Sequence, residues 1–285
     1  TDTPGARIIG MLTFGRIFIP SVVTASAWVF IASPRLGILN HMIQPIFGRL
    51  EVFNVYSFSW MIFIQSLEMV PLAFLLLATG FRTMDPRLEE ASTMTGAGTW
   101  RTFRNVTLPL NLPSVLAAVF LLLITSLETL EVPALIGFRA RISVYSIEMY
   151  NNIRRTPTDW GLSSTYGMAL MAISLVLLAT YLWLTRENER YQTITGKDFR
   201  PRRIELGRWG YVTCAISIVI LLLMTGIPLL ALIYTSLLEH LQQPSMAAFQ
   251  GMTFDNFRNM MRENSREMTS LWNSLRMSSG TAGVA

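Results

Sequence analysis

The stretch 211-YVTCAISIVILLLMTGIPLLALIY-234 contains no charged residue. A second, 165-TYGMALMAISLVLLATYLWL-184, contains none either. A run of about 18 or more apolar residues is long enough, as a helix, to cross roughly 30 Å of hydrocarbon. Within lipid every backbone amide has to be paired inside the spanning structure, which leaves helices or closed barrels. These runs are continuous and lack the strict alternation of barrel strands, so a barrel is excluded. The fold class is therefore all-α and polytopic. The bulk composition agrees: 51% of the 285 residues are hydrophobic, 14% are charged and mean hydropathy is +0.41, where a soluble domain carries about 25% charged residues.

Working outward from these runs, the sequence predicts membrane helices over 14–32, 56–80, 107–127, 164–185 and 209–237, with Pro20 kinking the first and a sixth opening at 271. Counting basic residues in alternate connections sets the orientation. The side holding 81–106, 186–208 and Arg7 has twelve Lys and Arg residues, against nine in 33–55, 128–163 and 238–270. The density in 186–208 places that side in the cytoplasm. Trp28, Trp160, Trp183, Trp209 and Trp272 fall near helix ends, as an aromatic belt does. A pI near 9.7 would point a soluble protein toward nucleic acid. Here the arginines lie between apolar runs and face headgroups, so the partner is the lipid bilayer, not nucleic acid.

Cofactor chemistry finds no foothold. Cys214 is the single cysteine and sits in an apolar run, while His41 and His240 lie far apart. No disulfide framework, C-x-x-C motif or histidine metal motif follows, and the sixteen methionines read as packing residues. No G-x-x-x-x-G-K-[ST] phosphate loop, H-E-x-x-H or G-x-S-x-G motif occurs. Carboxylates inside the membrane are functional candidates by default. Gln65 and Glu68 lie mid-helix in 56–80, and Glu128 and Glu131 lie at the outer end of the third helix. Each has two readings. Glu68 lines a pathway for a cationic cargo, or it is neutral or bonded to a neighbouring helix as packing. Glu128 and Glu131 face a pathway mouth, or sit at the water interface.

The loop 85-DPRLEEASTMTGAGTWRTFRNVTLPLNLP-113 is the polar exception between two apolar runs. Asp85 is an N-cap, Pro86 suits the first helical position, and Glu89 and Glu90 favour the positive end of the helix dipole. Gly96 and Gly98 end that helix. Thr99 is read as the cap of a second short helix whose apolar face carries Trp100, Phe103 and Val106, and Pro109 as fixing the way into the next span. The expectation is a charged knob rigidly joined to two spans. It docks on a partner, or it rests on the headgroup layer.

Glu90-Ala91-Ser92, then Gly96, then Val106-x-Leu108-Pro109 resembles the E-A-A-x(3)-G-x(9)-I-x-L-P signature of ATP-binding-cassette importer permeases. Ser92 stands for the second Ala and Val106 for Ile. Together 128-ETLEVPALIG-137, 191-YQTITGKDFRPR-202 and 208-RWG-210 resemble the fused two-half permeases of ferric-iron importers. The resemblance implies a type I importer transmembrane fold in the bacterial inner membrane. It also implies a periplasmic substrate-binding protein, and a cytoplasmic ATP-binding subunit dimer that docks on 85–106. ATP is then used by that partner, and the chain itself is neither an enzyme nor a holder of cofactor or metal. In this reading Glu90, Ala91, Ser92, Gly96, Val106, Leu108 and Pro109 form the coupling loop. Gly96 serves as a close-packed turn in which a side chain would push the elbow from its socket.

Residues 1–185 are then a first transmembrane half, 186–208 a cytoplasmic linker and 209–285 the start of a second half. The remainder of a longer polypeptide is expected to carry a second loop of the same pattern. Thiamine, phosphonate, polyamine and sulfate carriers share the resemblance. An ion-coupled carrier using Glu68, or a membrane enzyme using Glu68, Glu128 and Glu131, stands outside it.

Overall fold

The computed structural model describes residues 3–48, 52–186, 207–262 and 265–284. Most of the linker 186–208 lies outside the described residues. Every regular element among the described residues is a helix or helical turn, in the order α1 Ala6–Gly15, a 3₁₀ turn Arg16–Phe18, α2 Ser21–Ala32, α3 Ile38–Phe47, α4 Phe58–Thr83, α5 Pro86–Met94 and α6 Thr99–Thr102. There follow a π turn Phe103–Thr107, α7 Leu108–Glu128, α8 Glu131–Ala140, α9 Tyr145–Arg154 and α10 Trp160–Thr185. After the linker come α11 Trp209–Leu221, a π turn Leu222–Gly226, α12 Ile227–Ser236, α13 Met246–Gln250, α14 Asp255–Met260 and α15 Arg266–Val284.

Four continuous helices among the described residues are long and apolar enough to cross a membrane: Phe58–Arg82, Thr99–Glu128, Trp160–Thr185 and Trp209–Ser236. Their apolar side chains are mostly left uncovered by the chain; in the most apolar window of Trp160–Thr185 none is buried. So much exposed apolar surface would aggregate a soluble protein. In hydrocarbon it is the solvated state. This is an all-α polytopic membrane protein.

The region expected as a kinked first span, 14–32, is instead broken, with Ala6–Phe18 and Ser21–Ala32 meeting at 99°. Proline explains where the break falls. Pro20 has no N–H to continue the ladder, and it holds Ile19 extended at φ −95°, ψ 118°. The connection 128–163 carries two helices of its own, α8 and α9. The sixth helix, α15, starts at Arg266 and is not among the four apolar spans. In the segment 254–264, α14 forms over six residues with an exposed Arg258–Asp255 pair at 3.6 Å.

The chain divides into two compact units, Thr1–Ser26 with Val55–Thr225, and Ala27–Asn54 with Gly226–Ala285. In the first, α7 packs against α4 and α10, α8 against α4, and α1 against α4 and α11. Met61, Ile64, Val132, Ile136 and Ile147 form its dry centre. In the second, the fully buried Asn40 closes a loop: its Nδ2 donates to Ser33 O at 3.0 Å and Phe53 O at 2.6 Å, and its Oδ1 accepts from Phe53 N at 2.7 Å. In the same unit Phe30 stacks on Tyr234, which meets Phe249 edge-on, with ring centroids 6.2 and 5.9 Å apart.

α4 and α7 approach each other tightly at Gly80, where a Cβ would stand 2.4 Å from both Cβ and Oγ of Ser114. Gly80→Ala is expected to lower the melting temperature in detergent, a loss of about 1–3 kcal/mol from overpacking. Adding Ser114→Gly should recover most of it. Equal melting of Gly80→Ala and wild type would show that the two helices part freely there.

Candidate functional site

The knob between α4 and α7 is built from local rules. Asp85 Oδ1 accepts from Arg87 N at 2.9 Å, and Pro86 opens α5. The helix ends in a Schellman turn, in which Gly96 N donates to Thr93 O at 3.0 Å and Ala97 N to Ser92 O at 3.3 Å. That turn needs a left-handed residue, and Gly96 supplies φ +81°. Space is not the constraint within the chain, since a Cβ on Gly96 would meet nothing within 4 Å. The helix-ending role read for this glycine thus rests on its dihedral angle.

The second helix also differs from the expectation. Gly98, not Thr99, is its N-cap, and it supplies no side-chain bond. Moreover α6, the π turn and α7 run together as one helical rod, Thr99–Glu128. Pro109, the second residue of α7, cannot bond to the carbonyl four residues before it. The π turn takes up the mismatch, with Leu108 N bonding back to Phe103 O.

Two polar links hold α5 to this rod, and a third joins the end of α4 to it. Ser92 Oγ and Thr102 Oγ1 are 3.0 Å apart, and Thr107 Oγ1 donates to Glu89 Oε1 at 2.6 Å. Asn111 Nδ2 donates to Thr107 O at 2.9 Å and reaches Met84 Sδ at 3.0 Å. Thr102, Thr107 and Asn111 are buried, so these bonds are shielded from water. Outward, Trp100 stacks on Phe103 at 5.7 Å and is 73% exposed, and Met94 is 89% exposed. Of the signature residues, Glu90, Ser92 and Val106 are half-buried, while Ala91, Gly96, Leu108 and Pro109 are exposed. A rigid frame thus presents an apolar, uncovered tip.

The second candidate lies in the membrane. Glu68 on α4 is met by Arg16, a residue that the sequence reading passed over inside an apolar run. Arg16 is 3% exposed. Its NH1 donates to Ile19 O at 2.6 Å, its Nε to Met224 O at 3.2 Å and its NH2 to Thr24 Oγ1 at 2.8 Å. NH2 also pairs with Glu68 Oε2, and Thr24 Oγ1 donates to Glu68 Oε1. Thr24 thereby closes a ring of arginine, hydroxyl and carboxylate. Ile19 O is a carbonyl released by the broken helix, and Met224 O belongs to a π turn. Both need a donor where no water reaches.

Gln65, one turn from Glu68, has both amide atoms buried with no partner among the described residues. Glu131, the first residue of α8, is exposed. Glu128 ends α7 and is exposed. Among the described residues no group of three or more His, Cys, Asp or Glu is placed to hold a metal ion.

The sequence profile of the family described as "Binding-protein-dependent transport system inner membrane component" matches residues 6–190. The ferric transport system permease protein FbpB of Actinobacillus pleuropneumoniae is 28% identical over 167 residues, which is 58% of this chain and 24% of that protein. A putative ferric transport permease of Haemophilus influenzae is 27% identical over a similar share. The chain thus spans about a quarter of the length of these two relatives. The molybdenum transport system permease protein ModB of H. influenzae is 30% identical over 190 residues, covering 63% of this chain and 79% of that one. Among solved structures, a bacterial ABC transporter that imports the acidic polysaccharide alginate aligns at TM-score 0.51 and 19% identity over 68% of each chain. That likeness bears on the fold alone.

The two members of the ion pair are not equivalent. Glu68→Leu strands a guanidinium that cannot give up its proton, whereas Arg16→Met leaves a carboxyl that becomes neutral by taking one. In thermal melts Glu68→Leu is expected to cost more, on the scale of about 3–5 kcal/mol for a broken buried pair. The double variant should regain part of that. A double variant no more stable than Glu68→Leu would show that the pair is not the link.

Proposed function

The chain belongs to the family of binding-protein-dependent transport system inner membrane components, and we propose that it moves ferric iron across the inner membrane in an ATP-driven importer. It is a multi-pass protein of that membrane. In this reading an ATP-binding subunit dimer docks on the 85–106 knob and a periplasmic binding protein delivers the cargo. The observation that carries it is the knob itself: a four-point importer signature on a turn fixed by Gly96 and fused without a joint to a membrane-crossing rod.

The role of each signature residue follows from its place. Gly96 sets the turn, Ser92 ties α5 to α6, and Val106, Leu108 and Pro109 lie where the rod passes through its π turn. Glu90 and Ala91 line the last turn of α5, beside the exposed Met94. Because α4, α5 and α7 are linked by shielded bonds, a displacement of the knob by closing ATPase subunits passes to the spans as a rigid-body movement. ATP hydrolysis belongs to the separate subunit. Residues 1–185 act as a first half, 186–208 as linker and 209–285 as the beginning of a second half. Gln65, Glu68, Glu128 and Glu131 are the polar groups offered to the pathway. The connections 33–55, 128–163 and 238–270 face the binding protein. In the last of these, Glu239, Asp255, Asn256, Arg258 and Arg262 line an open cleft of about 630 Å³.

Iron is favoured because the two ferric transport relatives support it, and because three of the four pathway candidates are carboxylates. Uptake of labelled ferric iron tests the reading, in cells carrying the full-length permease with its ATPase and binding protein. Gly96→Trp serves as the uncoupled variant, since a left-handed backbone costs a residue with a Cβ about 1–2 kcal/mol and the tip then changes shape. ATP-dependent uptake that vanishes in Gly96→Trp is the expected result. Background iron uptake with the ATPase still co-purifying would keep the importer and discard iron. Molybdate, thiamine or a phosphonate would then be tried.

A further inference from the structure

Helix α3 is inside out with respect to water. Ile38, Met42 and Ile46 follow at four-residue spacing and share one face, while Asn40, His41 and Gln44 gather on the opposite one. A helix resting on a water-facing surface turns its polar side to solvent. In α3 the polar side is turned to the protein. Asn40 is fully buried on its three bonds to Ser33 and Phe53, His41 pairs with Gln243, and His41 and Gln44 are half-buried. The apolar side points away, with Met42 69% and Ile46 77% exposed and Phe47 uncovered at the helix end.

The depth of this helix is set by what it is tied to. Tyr234, in the last turn of the span Trp209–Ser236, stacks on Phe30 in the last turn of α2, so the two helices end level with each other. Tyrosine is a residue of membrane interfaces. The mouth of the span is polar there: Asn256 Nδ2 donates to Ser236 O at 3.0 Å and to Leu238 O at 2.8 Å. The Tyr234 hydroxyl donates to Gln242 O at 3.2 Å, and the next side chain, Gln243, is the one that holds His41. On its other side α3 starts hard against the end of α2. A Cβ on Gly37 would stand 2.3 Å from Ser33 O and 2.9 Å from Ile31 O. α3 is thus tethered twice at the level where two apolar helices stop.

We propose that α3 lies in the headgroup layer as an interfacial helix, with Ile38, Met42, Ile46 and Phe47 reaching into the acyl chains. Lipid is the occupant because this face takes up the hydrocarbon-solvated surface of the membrane helices at the level where they end, and because only an apolar surrounding explains a helix with its polar side inward. Arg35, exposed just before α3, brings a cation to the same layer, where anionic headgroups attract it. Interfacial binding grows with the apolar area buried, so α3 fixes the depth at which the ends of α2 and of Trp209–Ser236 sit. Of the connection 33–55 it commits this one face to lipid and leaves the remainder to the binding protein. It holds whichever cargo crosses.

The test is nitroxide accessibility in the full-length permease, its cysteines replaced by alanine, in nanodiscs of phosphatidylethanolamine and phosphatidylglycerol. Met42→Cys, Ile46→Cys and Arg35→Cys are spin-labelled one at a time. Relaxation by oxygen, which concentrates in hydrocarbon, is compared with relaxation by a water-soluble nickel chelate. At positions 42 and 46 oxygen is expected to act severalfold more strongly than nickel, and at position 35 the ratio should be severalfold lower. Stronger relaxation by nickel at 42 or 46 puts water on the face and overturns the proposal. Weak relaxation by both reagents puts protein there, a second copy or another part of the full-length chain, and overturns it too. Equal ratios at all three positions do the same. Met42 and Ile46 are exposed, so a label displaces nothing in the fold, and a melting temperature equal to that of the cysteine-free parent checks this. If either variant is not monodisperse, Phe47→Cys takes its place under the same criteria.

Discussion

A permanent positive charge buried in hydrocarbon has to be bonded on nearly every side, and Arg16 is. Its guanidinium meets a carboxylate, a hydroxyl and two backbone carbonyls. The two carbonyls belong to places where regular helix is interrupted, and the hydroxyl and the carboxylate to regular helices. Ile19 sits at a break, Thr24 just past it, Met224 in a π turn, and Glu68 carries a charge that a packed helix would not otherwise tolerate. The irregularities and the arginine account for one another. Without the guanidinium the released carbonyls would have no donor, and without them it would have too few acceptors. The 99° bend of the first apolar segment is therefore stabilised from outside the segment, by residues far away in sequence.

The cytoplasmic end follows a different economy. There the chain is in water, and local rules suffice: a capped start, a proline at the first position, a glycine in the left-handed region at the end. What makes the knob mechanically useful is that two side-chain links, Ser92–Thr102 and Glu89–Thr107, bind α5 to the rod that enters the membrane, while Asn111–Met84 ties the end of α4 to the same rod. Its apolar tip, Met94 and Trp100, is left for a partner.

How much could be read from the sequence depended on whether the signal was local. The spans over 58–83, 160–185 and 209–236 were legible because length and apolarity alone define them. The knob was legible because caps and turn glycines act within a few residues. Two things were not. Pro20 announces a kink, but a right-angled break depends on Arg16, whose partners on α4 and in the second π turn lie about fifty and two hundred residues away. The helices α8 and α9 are short and of mixed polarity, so no apolar run marks them. Glu68 stood out as a lone acid in a span. Its counter-charge did not, because a single arginine near the start of an apolar run looks like a flank.

The π turns ahead of Pro109 and Pro228 share one consequence. Each lodges an extra residue in an otherwise regular helix, so the two stretches it joins are out of phase by about 100°, one residue's rotation. A stripe of residues drawn along Thr99–Glu128 at constant spacing thus faces one direction below residue 103 and another above 107. The tip of the knob and the lipid-facing surface of its rod are geared to each other through this single inserted residue. Losing one residue between Phe103 and Thr107 would leave every other side chain intact and still turn the knob to the wrong azimuth. The register of five backbone units is in this sense as much a part of the coupling surface as Trp100.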